Sequence, residues 1–243
     1  KTALISVSNK EGVVDFARQI AKLGVKIIST GNTAKVLQQN NINVTLVSEI
    51  TKFPEMLDGR VKSVHPNIFA GILADRKNKK HMHELKKLGI KPIDLVAINF
   101  YPFEEAYIKD ARSKEIIENI DIGGPALVGS AAKNFKNVLA VVEPNDYNAV
   151  IEGIKGKKID ESFRSEFATK AFLHVARYNV VISRYFANEF LDDLFPEIYN
   201  FTFKKIQGLR YGENPHQKAA LYKSFLVSEA CVSTARQLQG KEL

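Results

Sequence analysis

The spacing of apolar residues along the chain predicts a fold in which short strands alternate with helices. Apolar runs rich in β-branched residues occupy positions 2–7 (TALISV), 26–29 (KIIS) and 44–47. Between them, at 11–23 and 34–40, apolar residues recur every three or four positions, which is the period of an amphipathic helix. Connections this short between strand and helix favour a parallel, doubly wound sheet.

The same alternation continues to about residue 190. Residues 94–100 (DLVAINF) form a nearly continuous apolar run, which is typical of a strand covered on both faces, and a further strand is predicted at 138–142. Further helices are predicted at 67–74, 79–88, 103–109, 113–120, 126–134, 145–154 and 162–190. We therefore expect an α/β fold of three layers, with a mostly parallel sheet between helices.

The chain changes character after the long last helix. Two short strands are predicted at 201–205 and 219–222, with a dense loop (LRYGENPHQ) between them. We place a domain boundary within residues 193–200, because the segment that follows is too short to build a core of its own.

Composition is that of an ordinary soluble globular protein, with 45% hydrophobic and 26% charged residues among 243. The single cysteine, Cys231, excludes an intrachain disulfide and a cysteine-rich metal site. No apolar run reaches the ~18 residues of a membrane span, and the N-terminus lacks a signal-peptide pattern. These features predict a cytoplasmic protein with no membrane partner.

The net charge of +8 indicates either a polyanionic partner or a solvated, lysine-rich surface. Because the lysines are scattered and no basic-aromatic array is present, we expect no nucleic acid partner. If the charge has a function, a phosphorylated small molecule is the better candidate.

Ligands of parallel α/β sheets bind outside the carboxyl ends of the strands. That rule selects residues 8–10, the turn at 30–33 (TGNT) and the end of the strand at 94–100. The turn offers hydroxyls and free N–H groups to a phosphate, although ordinary helix caps use the same residue types.

Two further stretches carry candidate chemistry. Residues 53–66 (FPEMLDGRVKSVHP) predict an irregular loop that bears Arg60 and Lys62, and its apolar residues at 53–57 are expected to anchor it in the core. Residues 121–125 (DIGGP) predict a helix entry with Pro at its first position, leading to Lys133 among small residues.

Six motifs together resemble the bifunctional purine-biosynthesis family AICAR transformylase/IMP cyclohydrolase. They are ISVSNK at 5–10, STGNTAK at 29–35, FPEMLDGRVKSVHP at 53–66, AINFYPF at 97–103, DIGGPALVGSAAKN at 121–134 and LRYGENPHQ at 209–217. The resemblance implies a methylglyoxal-synthase-like IMP cyclohydrolase domain at 1–199, and the start of an incomplete transformylase domain at 200–243. It departs from many members of the family at Asn32, where they have Gly.

The resemblance also implies the site residues. The matching catalytic positions are Lys62, Tyr101, Asp121 and Lys133. Matching substrate-binding positions are Ser8, Asn9, Lys10, Thr30, Gly31, Asn32, Thr33, Arg60, Val61, Ser63, Ile98, Asn99 and Ile122. Arg210 and Tyr211 match an AICAR-contacting pair of the transformylase, whose catalytic Lys-His motif lies beyond residue 243, so the chain is expected to be a fragment.

The implied reaction is dehydrative ring closure of FAICAR to IMP, the last step of de novo purine biosynthesis. Lys62 would stabilise the formyl oxygen, Tyr101 would orient the amide, and Asp121 with Lys133 would move the proton; whether Lys133 is acid or base stays open. The cyclohydrolase is expected to need no cofactor or metal. The intact protein would also use 10-formyltetrahydrofolate as co-substrate, and it would be a homodimer.

Two other functions fit parts of the pattern. A methylglyoxal-synthase-like lyase would share the fold and the phosphate loops. A phosphate-sensing regulatory module would need those loops but would not need Lys62, Tyr101, Asp121 and Lys133 together.

Overall fold

Internal contacts divide the protein into two compact units, which are described separately. The computed structural model describes residues 1–57, 59–101, 103–108, 113–191, 195–225 and 230–240. One unit comprises residues 1–102 with 119–176, and the other comprises 103–118 with 177–243. The predicted domain boundary at 199 concerns evolutionary domains, so it stays a prediction. Two predicted boundaries lie outside the described residues: residue 193, where the boundary region begins, and residue 109, where a helix was predicted to end.

Five parallel strands form the sheet of the first unit. They are β1 (Thr2–Val7), β2 (Lys26–Ser29), β3 (Val44–Leu46), β4 (Leu95–Asn99) and β5 (Leu139–Val141). The strands lie in the order β3-β2-β1-β4-β5, and every neighbouring pair is parallel. The predicted α/β class and mostly parallel sheet are therefore confirmed. Strand order reverses between β1 and β4, and this point of reversal positions the candidate site.

Helices connect and flank these strands. They are α1 (Val13–Lys22), α2 (Gly31–Gln39), α3 (Val47–Thr51), α4 (Pro66–Leu73), α5 (Lys79–Lys87), α8 (Gly123–Lys133), α9 (Tyr147–Lys155) and the first part of α10 (Glu161–Phe190). A 3₁₀ turn at Pro144–Asp146 precedes α9. In α1 the apolar residues buried against the core are Val13, Phe16, Ala17 and Ile20, the spacing that the sequence pattern predicts.

Burial of the central strands confirms that helices cover both sheet faces. Ala3, Leu4 and Ile5 are consecutive in β1, so they point alternately to the two faces, and all three are fully buried. In β4 the four residues at 95–98 are likewise buried.

Two helices start three residues before their predicted positions, and one further helix was not predicted. The helix α2 begins at Gly31 rather than 34, because the N–H of Ala34 already donates to the carbonyl of Thr30 at 3.3 Å. The helix α8 begins at Gly123, so Pro125 is its third residue rather than its first. The short helix α3 replaces the predicted end of the strand at 44–47, and the sequence pattern did not indicate it.

The second unit combines short helices with a hairpin. Its elements are α6 (Phe103–Ile108), α7 (Ser113–Glu118), the last part of α10, β6 (Phe203–Leu209), β7 (Ala219–Ser224) and a 3₁₀ turn at Val232–Thr234. Phe103 is 1% exposed and its ring lies edge-on to Tyr178 and Tyr185 of α10. The strands β6 and β7 pair antiparallel, with an irregularity between Lys205 and Gln207.

Candidate active site

One side chain joins the carboxyl ends of β1 and β4. The amide oxygen of Asn99 accepts hydrogen bonds from the backbone N–H groups of Ser8 at 2.6 Å and Asn9 at 2.9 Å. Its amide nitrogen donates to the Asn9 carbonyl at 3.2 Å. Asn99, a predicted substrate-binding residue, therefore holds the loop after β1. At most one of its two amide N–H donors is left for a ligand.

Lys10 closes the same loop. Its ammonium group donates to the carbonyls of Val7 and Ser8, the latter at 3.2 Å. Burial and then the nearby Lys62 ammonium lower the pKa of Lys10. Two cations that repel each other at a strand end provide a favourable place for an anion.

The start of α2 lies beside this loop. The Thr33 hydroxyl accepts from the Val7 N–H at 3.1 Å and donates to the Val7 carbonyl at 3.0 Å, which ties α2 to β1. Thr30 makes no side-chain cap to α2 and donates instead to the Glu55 carboxylate at 2.6 Å. Because the first N–H groups of a helix have no intrahelical acceptor, the start of α2 can receive a phosphate. The exposed Asn32 belongs to this first turn.

The segment 53–66 contains a small hairpin rather than a buried anchor. The N–H of Met56 donates to the Val61 carbonyl at 3.0 Å, and the N–H of Val61 returns a bond at 3.2 Å. Phe53 is 49% exposed and Leu57 is 65% exposed. The expectation that residues 53–57 anchor the loop in the core is therefore wrong, because these side chains face solvent around the hairpin.

His65 has a structural role at the end of this segment. Its imidazole accepts from the Asn67 N–H at 3.1 Å, which caps α4, and Pro66 is the first residue of that helix.

Lys62 lies at the centre of the site. A side-chain carbon built on Gly31 would lie 3.6 Å from its ammonium nitrogen, an ordinary contact distance, so Lys62 lies against the start of α2. The charge of Lys62 also acts on Lys10 and Asp121. The Lys62 ammonium group therefore lies close to the end of β1, the start of α2 and the start of α8. The first and last of these are more than a hundred positions apart in the sequence.

Asp121 lies against the first turn of α8. One carboxylate oxygen accepts from the Gly124 N–H at 2.8 Å. A side-chain carbon built on Gly124 would lie 2.5 Å from the other carboxylate oxygen, and one built on Gly123 would lie 3.2 Å from the Ser63 hydroxyl. The two glycines thus permit Asp121 and the buried Ser63 to approach the helix start. Burial raises the pKa of Asp121, against the opposing effects of the backbone N–H groups and Lys62.

The other expected contacts differ in exposure. Tyr101 is 51% exposed just beyond β4, and Ile122 is 72% exposed. Ile98 is 2% exposed, so it can meet a ligand only through its backbone. Val61 is half-buried and Arg60 is exposed at the end of the hairpin.

Lys133 does not join this group. It is the last residue of α8, an eleven-residue helix whose other end lies beside Asp121. At 1.5 Å per residue the helix separates its ends by about 15 Å, farther than the two side chains can span. Lys133 is also exposed, although burial among small residues was expected. The two side chains are therefore not paired within one chain, and the expected roles of Lys133 and of its pair with Asp121 stay predictions.

The sequence analysis did not predict the contact of Glu55 with Thr30 or the hydrogen bond from the Gly124 N–H to Asp121. Glu55 contacts Thr30 across 25 positions, and no local pattern indicates such a contact. Gly124 follows Asp121 by three positions, the spacing at which a carboxylate accepts from the N–H of a helix start, and this signal could have identified it.

Arg210 and Tyr211 belong to the second unit. Both are exposed in the loop that follows β6, and Tyr211 is 53% exposed. The Gly212 N–H donates to the Gln217 carbonyl at 2.9 Å, which closes this loop.

Metal sites and membrane spans are two other kinds of feature to consider. Within the described ranges, no three His, Cys, Asp or Glu side chains are grouped so that they could hold a metal ion. Among the described helices, none has the length and hydropathy needed to span a bilayer.

The chain is similar to known proteins along its whole length. Residues 12–126 match the family model of the MGS-like domain, and residues 131–243 match that of the AICARFT/IMPCHase bienzyme. The bifunctional purine biosynthesis protein PurH of Acetivibrio thermocellus is 49% identical over the whole chain, and that of Thermoanaerobacter sp. is 50% identical. A solved structure described as ForH has a TM-score of 0.66 at 28% identity, over 76% of this chain and 96% of that one.

The parallel sheet and the first match define an MGS-like α/β domain. The second match and the whole-chain relatives narrow this class of protein to one family. The chain belongs to the AICARFT/IMPCHase bienzyme family of purine biosynthesis. It spans about half the length of the curated relatives that it matches, since it covers 48% of each of the first of them.

Proposed function

We propose that the unit with the parallel sheet is an IMP cyclohydrolase, which closes FAICAR to IMP with loss of water. The observation that carries the proposal is the position of Lys62, whose ammonium lies at the start of α2 and acts on both Lys10 and Asp121. Cations and a half-buried carboxyl at the carboxyl edge of a sheet suit a substrate with a phosphate and a reacting amide.

The reaction makes specific demands on such a site. The carboxamide nitrogen attacks the formyl carbon of the same molecule, so much of the positioning is intramolecular. The formyl oxygen gains negative charge, takes up two protons and leaves as water, while the attacking nitrogen loses one proton and the formamide nitrogen loses the other. Lys62 stabilises that oxygen, and Asp121 exchanges the proton with nitrogen. A raised pKa suits Asp121 to proton transfer nearer neutral pH than an ordinary aspartate allows.

The substrate would span the strand ends. Its phosphate takes the loop Ser8–Asn9–Lys10, the first turn of α2 and Arg60, all of which offer N–H groups or positive charge. Its heterocycle meets the backbone near Val61, Ile98 and Ile122, and the exposed Tyr101 orients the amide. The exposed side chain of Ile122 supplies apolar contact area for a flat ring.

The family membership also supports a proposal for the remainder of the chain. Residues 1–199 would be the cyclohydrolase domain, and 200–243 would open a transformylase domain. In the intact protein Arg210 and Tyr211 would contact AICAR, and 10-formyltetrahydrofolate would supply the formyl group. We propose a homodimer for that protein.

Addition of FAICAR to the purified chain tests the cyclohydrolase directly. Formation of IMP, followed by its absorbance, should proceed without folate, and Lys62→Ala and Asp121→Asn should each abolish most of it. The exposed Lys79→Ala is the matched control, since it removes a surface cation from α5. Wild-type turnover by either site variant would contradict the proposed roles.

The MGS-like match favours one alternative, a lyase that acts on a triose phosphate. The same preparation incubated with dihydroxyacetone phosphate should release no methylglyoxal. Release of methylglyoxal with no conversion of FAICAR would replace our proposal by the lyase. Binding of phosphate ligands with neither reaction would favour a regulatory module.

A further inference from the structure

The bond between Glu55 and Thr30 is unusual for a helix start. Thr30 precedes α2 with extended backbone (φ −142°, ψ 162°), which is the geometry of an N-cap residue. A threonine in that position normally accepts a hydrogen bond from the second or third N–H of its helix. Here no such bond forms, and the hydroxyl donates to Glu55 at 2.6 Å.

From this geometry we propose that Glu55 is a positioning residue that keeps α2 uncapped, so that its N–H groups stay available to the substrate phosphate. A hydroxyl keeps its acceptor lone pairs when it donates, but the side-chain rotamer that directs the Thr30 hydroxyl to the carboxylate makes no cap bond to α2. A hydrogen bond to a charged acceptor is also stronger than one between neutral groups. The carboxylate therefore prevents Thr30 from satisfying the donors that the ligand requires.

The surroundings of Glu55 support this role. The residue begins the hairpin closed by the paired N–H and carbonyl groups of Met56 and Val61, so its backbone is fixed close to α2. Thr30 is 4% exposed, which limits the other acceptors that its hydroxyl can reach. The hairpin also leads to Arg60 and Lys62, so one contact orients both the helix start and the cationic segment.

The inference rests on the proposed function, because it assigns the phosphate of the substrate to α2. It predicts that Glu55→Ala frees the hydroxyl to cap the helix in competition with the ligand. Capping contributes about 0.5–2 kcal/mol, so affinity for a phosphate ligand should fall roughly 2- to 30-fold. The fold should lose little stability, because Glu55 is exposed and the helix gains a cap. A purely structural role for Glu55 predicts a lower melting temperature instead.

Calorimetric titration with ribose 5-phosphate provides the test, with five variants of the whole chain. Glu55→Gln keeps an acceptor for Thr30 and should stay near wild-type affinity. Glu84→Ala removes an exposed carboxylate from α5 and controls for net charge. In a Thr30→Val background no hydroxyl can cap, so the additional effect of Glu55→Ala should fall below about twofold.

Three outcomes would overturn the inference: no binding of ribose 5-phosphate to the wild type, unchanged affinity in Glu55→Ala, or the same loss with and without the Thr30 hydroxyl. Turnover of FAICAR distinguishes a failure of this inference from a failure of the proposed function. If the binding pattern appears but no IMP forms, the cyclohydrolase proposal fails and the role of Glu55 stands. If IMP forms with an unchanged KM in Glu55→Ala, the role of Glu55 fails alone.

Discussion

Gly124 offers a test of the site geometry, because it has no room for a side chain. The added carbon of Gly124→Ala would lie 2.5 Å from one oxygen of Asp121, and 3.0 Å from both its carboxyl carbon and the Phe100 ring. Ordinary contact between such atoms begins near 3.4 Å, so the carboxylate must move by about 1 Å. That movement breaks the 2.8 Å bond from the Gly124 N–H.

The expected result has two parts. A displacement of about 1 Å at a reacting group costs on the order of 10²-fold in rate, so kcat for IMP formation should fall by about that factor. Overpacking should cost about 1–3 kcal/mol of unfolding free energy, and replacing a helical glycine restores roughly 0.5–1 kcal/mol. A net loss of about 1–2 kcal/mol should follow.

Gly129→Ala is the matched control within the same helix. An added carbon there meets nothing within 4 Å, so the substitution should stabilise the protein by about 0.5–1 kcal/mol and leave turnover unchanged. Urea unfolding and the FAICAR assay measure both quantities. Full activity in Gly124→Ala would refute the claim that the position of Asp121 matters, and equal stability changes in the two variants would refute the packing estimate.

Three further predictions follow from individual contacts. Lys62→Met should raise the pKa of Lys10 and also that of Asp121, since the Lys62 charge lowers both; side-chain NMR titration would show it, and a fall in either pKa would contradict it. Thr33→Val should cost about 1–3 kcal/mol in urea unfolding by leaving the Val7 N–H without its partner, whereas Thr33→Ser should retain most of that stability. Asp121→Asn should be more stable than wild type near pH 7. Burial raises the folded pKa of Asp121, so its contribution to stability is present below the unfolded pKa and lost as pH rises through the folded pKa. The gap in melting temperature should therefore close on acidification, and a constant gap would count against the buried carboxyl.

Apolar periodicity predicted much of the sheet unit, because local spacing reflects burial. The run at 94–100 indicated a strand covered on both faces, and β4 is buried along most of its length. The order of strands in the sheet did not follow from spacing, since pairing joins residues far apart in sequence. Helix starts were missed where side chains decide them, as at Asp121, whose bond to Gly124 begins α8 earlier than the small-residue run suggested.

Some parts of the candidate site could likewise be predicted from the sequence, and others could not. Strand-end loops were predictable from a general rule of parallel sheets, and they meet at the junction of β1 and β4. Glu55 was not predictable, because its acceptor role depends on how a hairpin meets a helix 25 positions away. Lys133 was misplaced because a motif fixes its distance from Asp121 in sequence, whereas the rigid helix between them fixes it in space.

The claim at the centre of this account is that Lys62 faces a nucleotide between β1, α2 and α8. Calorimetric titration of IMP into the wild type and Lys62→Ala tests it most directly. We predict one site in the wild type and an affinity at least about tenfold weaker in the variant, the loss expected from one charge-assisted contact of about 1.5 kcal/mol or more. Equal affinity for IMP in the two proteins would contradict the account.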